Sequence, residues 1–216
     1  MTQSTKSILL WGTVILGTIG LVWLLASLGS GSTDSPQSLS DGITDTDQVK
    51  GTRNAQVTLV EYSDFQCPAC STVYPLLKQL SQEFPDTLAV VYRHYPLRSI
   101  HPNAQLSAQA AEAAGLQNNF WEMHDVLFNT QSQWSSLLNP TDFFVQLATS
   151  LGLNTEQFKT DLTSSAVEAV VNDSYARATS MNLPGTPSFF LNGESIQNPG
   201  SYAGFKSLIE SALSAT

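Results

Sequence analysis

The chain's only two cysteines stand three apart in Cys67-Pro68-Ala69-Cys70, where one hydrophobic period gives way to another. Upstream, Val57-Thr58-Leu59-Val60-Glu61-Tyr62 is β-branched and apolar and reads as a strand. Downstream, Ser71 to Leu80 carries apolar residues at three- and four-residue spacing, as a helix packed on a core does. Ser63-Asp64-Phe65-Gln66 makes the turn between them. Two thiols three apart at a helix start share one face and can close a disulfide. The first lies where backbone N–H groups point outward, which favours its thiolate. That thiolate is the nucleophile of thiol–disulfide exchange. A structural zinc site needs four ligands, and His94, His101 and His124 form no close pair, so no metal is expected. A purely structural disulfide stays open as an alternative, although a bond over three residues restrains the unfolded chain least.

The first fifty residues read differently from the rest. Ile8 to Leu28 carries no charge, and at about 1.5 Å per residue it is long enough to span a hydrocarbon core of roughly 30 Å. Trp11 and Trp23 fall near its ends, Lys6 precedes it, and Asp34, Asp41, Asp45 and Asp47 follow. The expectation is a short cytoplasmic N-terminus over 1–7 and a single-pass anchor over 8–28, with everything beyond outside the cytoplasm. Ser27-Leu28-Gly29 leaves signal-peptide cleavage as the alternative, although the apolar run exceeds the usual ~7–15 residues of a signal core. Residues 29–50, rich in Ser, Gly, Thr and Asp, read as a flexible tether, and 51–216 as one domain. An exported domain works where disulfides persist. The net charge of −9 argues against nucleic acid and anionic lipid as partners.

Within the domain, Thr87 to Arg93 reads as a second strand, which completes a βαβ unit with the strand and helix around the cysteines. A helical stretch follows over about 99–182, with helices expected at Asn103–Leu116, Asn118–Asn129, Pro140–Leu151, from Asn154, and at Ala166–Met181. Then Ser188-Phe189-Phe190-Leu191, Asn192-Gly193 and Glu194-Ser195-Ile196-Gln197 predict a hairpin, and Tyr202 to Leu213 a closing helix. Gly185-Thr186-Pro187 stands immediately before the hairpin, and X–Pro bonds are where cis peptides occur. The class is α/β, with a helical insert between two parts of one sheet.

Four blocks in this order resemble the DsbA-like branch of the thioredoxin superfamily. They are Val57 through Cys70, Arg93-His94-Tyr95-Pro96-Leu97, Phe120-Trp121-Glu122-Met123-His124 and Gly185 through Gly193. The resemblance covers about Gln48 to Leu213. It implies a thioredoxin fold with an inserted helical domain, here preceded by one transmembrane helix, and no cofactor. It implies partners of two kinds: cysteine-containing exported proteins, and a quinone-linked membrane oxidase that resets the pair. Members of the family mostly oxidise exported proteins, while some reduce or isomerise disulfides, and fold alone does not separate these.

Cys67 is the expected nucleophile, Cys70 the resolving thiol, and Pro68 an early helical residue whose missing N–H costs nothing. Glu61 shares a strand face with Val57 and Leu59. If that face meets the core, the carboxyl is buried, its pKa is raised, and it can exchange protons with Cys70; an edge-strand Glu facing water is the alternative. The resemblance makes Thr186 a substrate-facing backbone and Pro187 a cis residue. It also exposes a departure: the best-known oxidases of the family carry His where this chain has Ala69, which predicts a less stabilised Cys67 thiolate and a milder oxidant. The three histidines are expected to be structural or exposed, and Trp134, set among polar residues, is expected near solvent. Competing functions are a reductase or isomerase, and a tethered peptide-binding module without catalysis.

Overall fold

The computed structural model describes residues 18, 20, 23, 38, 39 and 41–215 of the chain. The anchor expected over 8–28 lies outside the described residues except for Thr18, Gly20 and Trp23. Among the described residues no helix is long and apolar enough to cross a membrane.

Five strands form one sheet: β1 (Gln48–Lys50), β2 (Val57–Ser63), β3 (Leu88–His94), β4 (Ser188–Leu191) and β5 (Glu194–Ile196), in the order β1-β3-β2-β4-β5. β2 and β3 run parallel, joined by helix α1 (Pro68–Glu83), and the other pairings are antiparallel. The expected hairpin is present, with Asn192 and Gly193 both at positive φ in its turn. Between β3 and β4 come α2 (Ala104–Gly115), α3 (Phe120–Asn129), the short α4 (Gln131–Trp134), α5 (Thr141–Ser150), α6 (Thr155–Leu162) and α7 (Ser165–Ser180). Helix α8 (Tyr202–Ser214) closes the chain.

Burial on both faces explains the near-continuous apolar reading of β2 and β3. One face packs Val57, Leu59, Leu88, Val90 and Phe189 against Val73, Leu77 and Leu80 of α1 and Phe205 and Ile209 of α8. The other sets Val60, Tyr62, Val91 and Phe190 against Ala178 of α7 and Leu183. A third cluster, built on the alanines of α2 with Phe120, Met123, Leu127, Trp134, Phe144 and Phe158, forms the core of the insert. It reaches Phe65, Cys67, Cys70 and Tyr92, so the redox pair sits at the seam between insert and sheet.

Two expectations are corrected here. The end of the stretch expected as a tether up to Lys50 is instead structured, because β1 pairs with β3 and Asp47 is buried in an ion pair with Arg93. Arg93 sits near the end of β3 and is 2% exposed, so its guanidinium needs a carboxylate; Asp47 meets it at 2.7 Å, while the Gly42 carbonyl and the Tyr62 hydroxyl each accept a further N–H. Gly51 then turns the chain at φ +94°, where a Cβ would lie 2.3 Å from the Leu88 carbonyl oxygen. Trp134 is fully buried, its indole donating to the Leu127 carbonyl at 2.9 Å and its ring edge-on to Phe144.

Candidate active site

The turn into α1 is built from Asp64. One carboxylate oxygen accepts the Gln66 N–H at 2.7 Å, and the Asp64 carbonyl accepts the Cys67 N–H at 3.0 Å. The other oxygen is held by the Leu97 N–H at 2.9 Å and faces His101 Nδ1 at 2.7 Å. Cys67 caps the helix in an extended conformation (φ −71°, ψ 122°), with Pro68 at the first helical position. Both cysteines are free thiols; Cys67 keeps 6% exposure and Cys70 none.

The helix start separates the two thiols chemically. Cys67 is pulled down to about 5, chiefly because the Cys70 thiol donates to its sulfur; burial opposes this, and the Thr186 side chain and the backbone N–H groups of Cys70 and Ala69 add to it. Cys70 is pushed well up, first by burial, then by its donation to Cys67 and by the charges of Glu61 and Cys67. Across from them the Thr186–Pro187 bond is cis, as expected, and Cys67 Sγ lies 3.4 Å from the Thr186 carbonyl oxygen. In the dithiol the buried Thr186 hydroxyl has no partner among the described residues, which leaves it free to donate once Cys67 ionises. Ala69 contributes only its backbone here.

Glu61 is 3% exposed, on the face the alternation of β2 predicts. Burial raises its pKa to about 7; the Ser63 hydroxyl, donating at 2.8 Å, partly offsets this, and the Cys67 charge adds to it. Beside it a cavity offering about 20 Å³ to water is walled by Tyr92, His124, Asp125, Lys50 and Lys78, which is room for about one water. Glu61, Cys67, Cys70, Thr186 and Pro187 thus converge, with Pro68 and Ala69 between the thiols. His94 and His124 are buried and His101 half-buried, each against a carboxylate. Sequence reading passed over Ser63, which strand alternation with Glu61 could have flagged, and Asp64, whose place two residues before Gln66 is an Asx-turn signal. It also passed over Gln66 and Gln131, whose amides hold the turn and which carry no local signal. Among the described residues no group of three His, Cys, Asp or Glu side chains is disposed to hold a metal.

Comparison with known proteins places this architecture. A family profile described as thioredoxin matches residues 43–211. The chain belongs to the thioredoxin family. Its fold is that of the family's DsbA-like members. Oxidised BdbD of Bacillus subtilis superposes with a TM-score of 0.72 over 82% of this chain and 99% of that one, at 23% identity. The α-DsbA1 of Wolbachia pipientis gives 0.69 over 79% and 92%, at 17% identity. A thioredoxin-like oxidoreductase of Silicibacter pomeroyi gives 0.67 over 80% and 95%, at 24%. Among curated sequences, Na(+)/H(+) antiporter NhaA 1 of Salinispora arenicola is 40% identical over 158 residues, 73% of this thioredoxin-family chain but 23% of the antiporter. NhaA 1 of Mycolicibacterium gilvum is 40% identical over 157 residues, 71% of this chain and 24% of that protein. The chain spans about a quarter of the length of these curated relatives, so antiport is not transferred to it.

Proposed function

We propose that this protein is a membrane-tethered thiol–disulfide oxidoreductase that introduces disulfides into exported proteins. The observation that carries the reading is the opposed displacement of the two thiols, Cys67 down to about 5 and Cys70 well up. A client thiolate attacks Cys67 Sγ of the disulfide form, the Cys67–Cys70 bond breaks, and Cys70 leaves and takes a proton. Glu61, buried behind it and poised at about 7, is the proposed donor. A second client thiolate then attacks the client's sulfur of the mixed disulfide, and Cys67 leaves as a stabilised thiolate. The lower the pKa of that leaving group, the faster it leaves. Two electrons pass from client to protein, and a membrane oxidase, quinone-linked in our proposal, returns the pair to the disulfide.

Equilibration of the Cys67–Cys70 pair with glutathione tests the direction. An oxidase holds its pair more oxidising than glutathione, and a pair markedly more reducing would sink this reading in favour of a reductase. Ala69→His is expected to make the disulfide more oxidising still, by about 30 mV for each 1.4 kcal/mol of added thiolate stabilisation. A shift of opposite sign would show that the helix start and Thr186 have no room for a further donor.

The uncharged run 8–28, with Lys6 before it and aspartates after, supports the tether. The full chain is expected to pellet with membranes, to resist carbonate extraction and to be open to protease outside intact spheroplasts. Recovery of a soluble chain beginning near Ser30 would replace the anchor by a cleaved signal.

A further inference from the structure

The insert grips the nucleophile's turn by its backbone. Gln131, the first residue of α4, donates from one Nε2 to two carbonyls, that of Phe65 at 2.7 Å and that of Cys67 at 3.1 Å. α4 is a rigid mount, since three residues on its Trp134 is fully buried and hydrogen-bonded to Leu127. A second amide works in the opposite sense. Gln66, 8% exposed, sends its Nε2 to the Ser135 carbonyl and receives the Asn103 N–H on its Oε1, both at 2.7 Å. Asn103 Nδ2 in turn donates to the Leu137 carbonyl at 2.8 Å. The three residues leading into α1 are thus stitched to the insert on both sides, and none of these bonds touches a sulfur.

We infer that Gln131 is a positioning residue for the redox pair: through the Phe65 and Cys67 carbonyls it fixes the rotation of the Cys67 backbone that points Sγ at its stabilising donors. This inference rests on the reading of Cys67 as the low-pKa nucleophile. The reason is geometric. The groups that hold the thiolate are the Cys70 thiol, the Thr186 side chain and the N–H groups of Ala69 and Cys70, and hydrogen bonds to a charged acceptor weaken steeply with misalignment. Cys67 is the cap, with only its carbonyl inside the helix ladder, where it accepts the Ser71 N–H at 3.1 Å. A second donor on that carbonyl removes the play that one bond leaves. The insert therefore sets the redox equilibrium of a pair whose sulfurs accept none of its hydrogen bonds.

The test uses the full chain and three variants. Gln131→Ala removes the amide, and Gln131→Met keeps its bulk without a donor, while Gln133→Ala on the same short helix is the control. The thiolate of the reduced proteins is titrated by its ultraviolet absorbance, the redox equilibrium is read against glutathione, and thermal unfolding is followed separately. Both Gln131 variants are expected to raise the Cys67 pKa by about half to one unit and to make the disulfide about three- to tenfold less oxidising. Gln133→Ala is expected to match the wild type. If the Gln131 variants melt earlier but titrate and equilibrate as the wild type does, the residue is structural only and the inference falls. It falls equally if Gln131→Ala shifts and Gln131→Met does not, because packing would then be the cause. A wild type without a low-pKa thiol would overturn the nucleophile assignment itself, a result distinct from either.

Discussion

Cys70→Ala is expected to accumulate mixed disulfides with client proteins, and Cys67→Ala to accumulate none. In the first, the Cys67 thiolate attacks a client disulfide, one client thiolate leaves, and no second thiol remains to break the mixed disulfide; in the second, the surviving sulfur is fully buried and held protonated. Alkylation of the reduced wild type by iodoacetamide should fall on Cys67 alone at mildly acid pH, with a midpoint near 5. The same displacement governs stability. Between about 5 and the ordinary thiol value of 9.0, the folded dithiol has lost a proton that the unfolded chain still holds. Its stability relative to the disulfide form therefore rises with pH across that window and is lost as pH falls through about 5, while above 9.0 the raised Cys70, which keeps a proton the unfolded chain gives up, reverses the slope. At pH 7 the difference is on the order of a few kcal/mol. Glu61 works against this between 4.5 and about 7, but burial, its main cause, is common to both redox forms and largely cancels. Paired melting curves of the two forms at pH 5 and pH 8 check the sign. Equal labelling of both sulfurs, or a gap that shrinks toward alkaline pH, would refute the helix-start account.

The second large effect lies on the sheet face away from the cysteines. Asp47→Ala leaves the Arg93 guanidinium charged, buried and short of its carboxylate, and is expected to cost about 3–5 kcal/mol. For a domain of this size that lowers the melting temperature by about 10 °C. Asp47→Ala with Arg93→Met should recover much of the loss, since an apolar pair of similar volume removes the unpaired charge. Burial alone would raise the Asp47 carboxyl, but the Arg93 and Thr44 hydrogen bonds and the Arg93 charge hold it below its usual 3.8, so the pair's contribution persists above that value and fades only in stronger acid. Urea unfolding of the single and double variants decides. A single variant within 1 kcal/mol of the wild type would mean that the pair is replaceable by water.

What the sequence disclosed and what it withheld divide along one physical line. Elements whose signal is local were legible: the strand into Cys67, the Asn192-Gly193 turn, Pro187 before its strand, and the helix periods of the insert. Glu61 was legible because alternation along β2 assigns its face. Elements whose cause lies far along the chain were not. Asp47 stands in an acidic, serine-rich tract that reads as linker, and its partner is 46 residues away in β3. The available clue was Arg93 itself, a charge in an otherwise apolar strand that requires a counterion. Trp134 is surrounded by polar residues, yet it is placed by Leu127 and Phe144 rather than by its neighbours. Gln131 gives no sign at all, because an amide in a polar stretch has no preferred partner until the fold supplies one.

The segment ahead of β1 has a further consequence, for the sheet's outer strands. Ser38 bridges Glu194 and the Leu39 N–H donates to the Gly193 carbonyl, so the turn end of the free side of β5 is already engaged. At the opposite margin β1 is only three residues long, and the Trp121 indole occupies the outward Val49 carbonyl at 3.2 Å. Unpaired strand margins recruit extended polypeptide and seed aggregation. Under the function proposed above, in which half-folded chains are held by a covalent bond, that hazard would recur at every turnover. With both margins partly engaged, a client of the proposed oxidoreductase is expected to meet the sulfur of Cys67 and the loop at Thr186 rather than an open ladder.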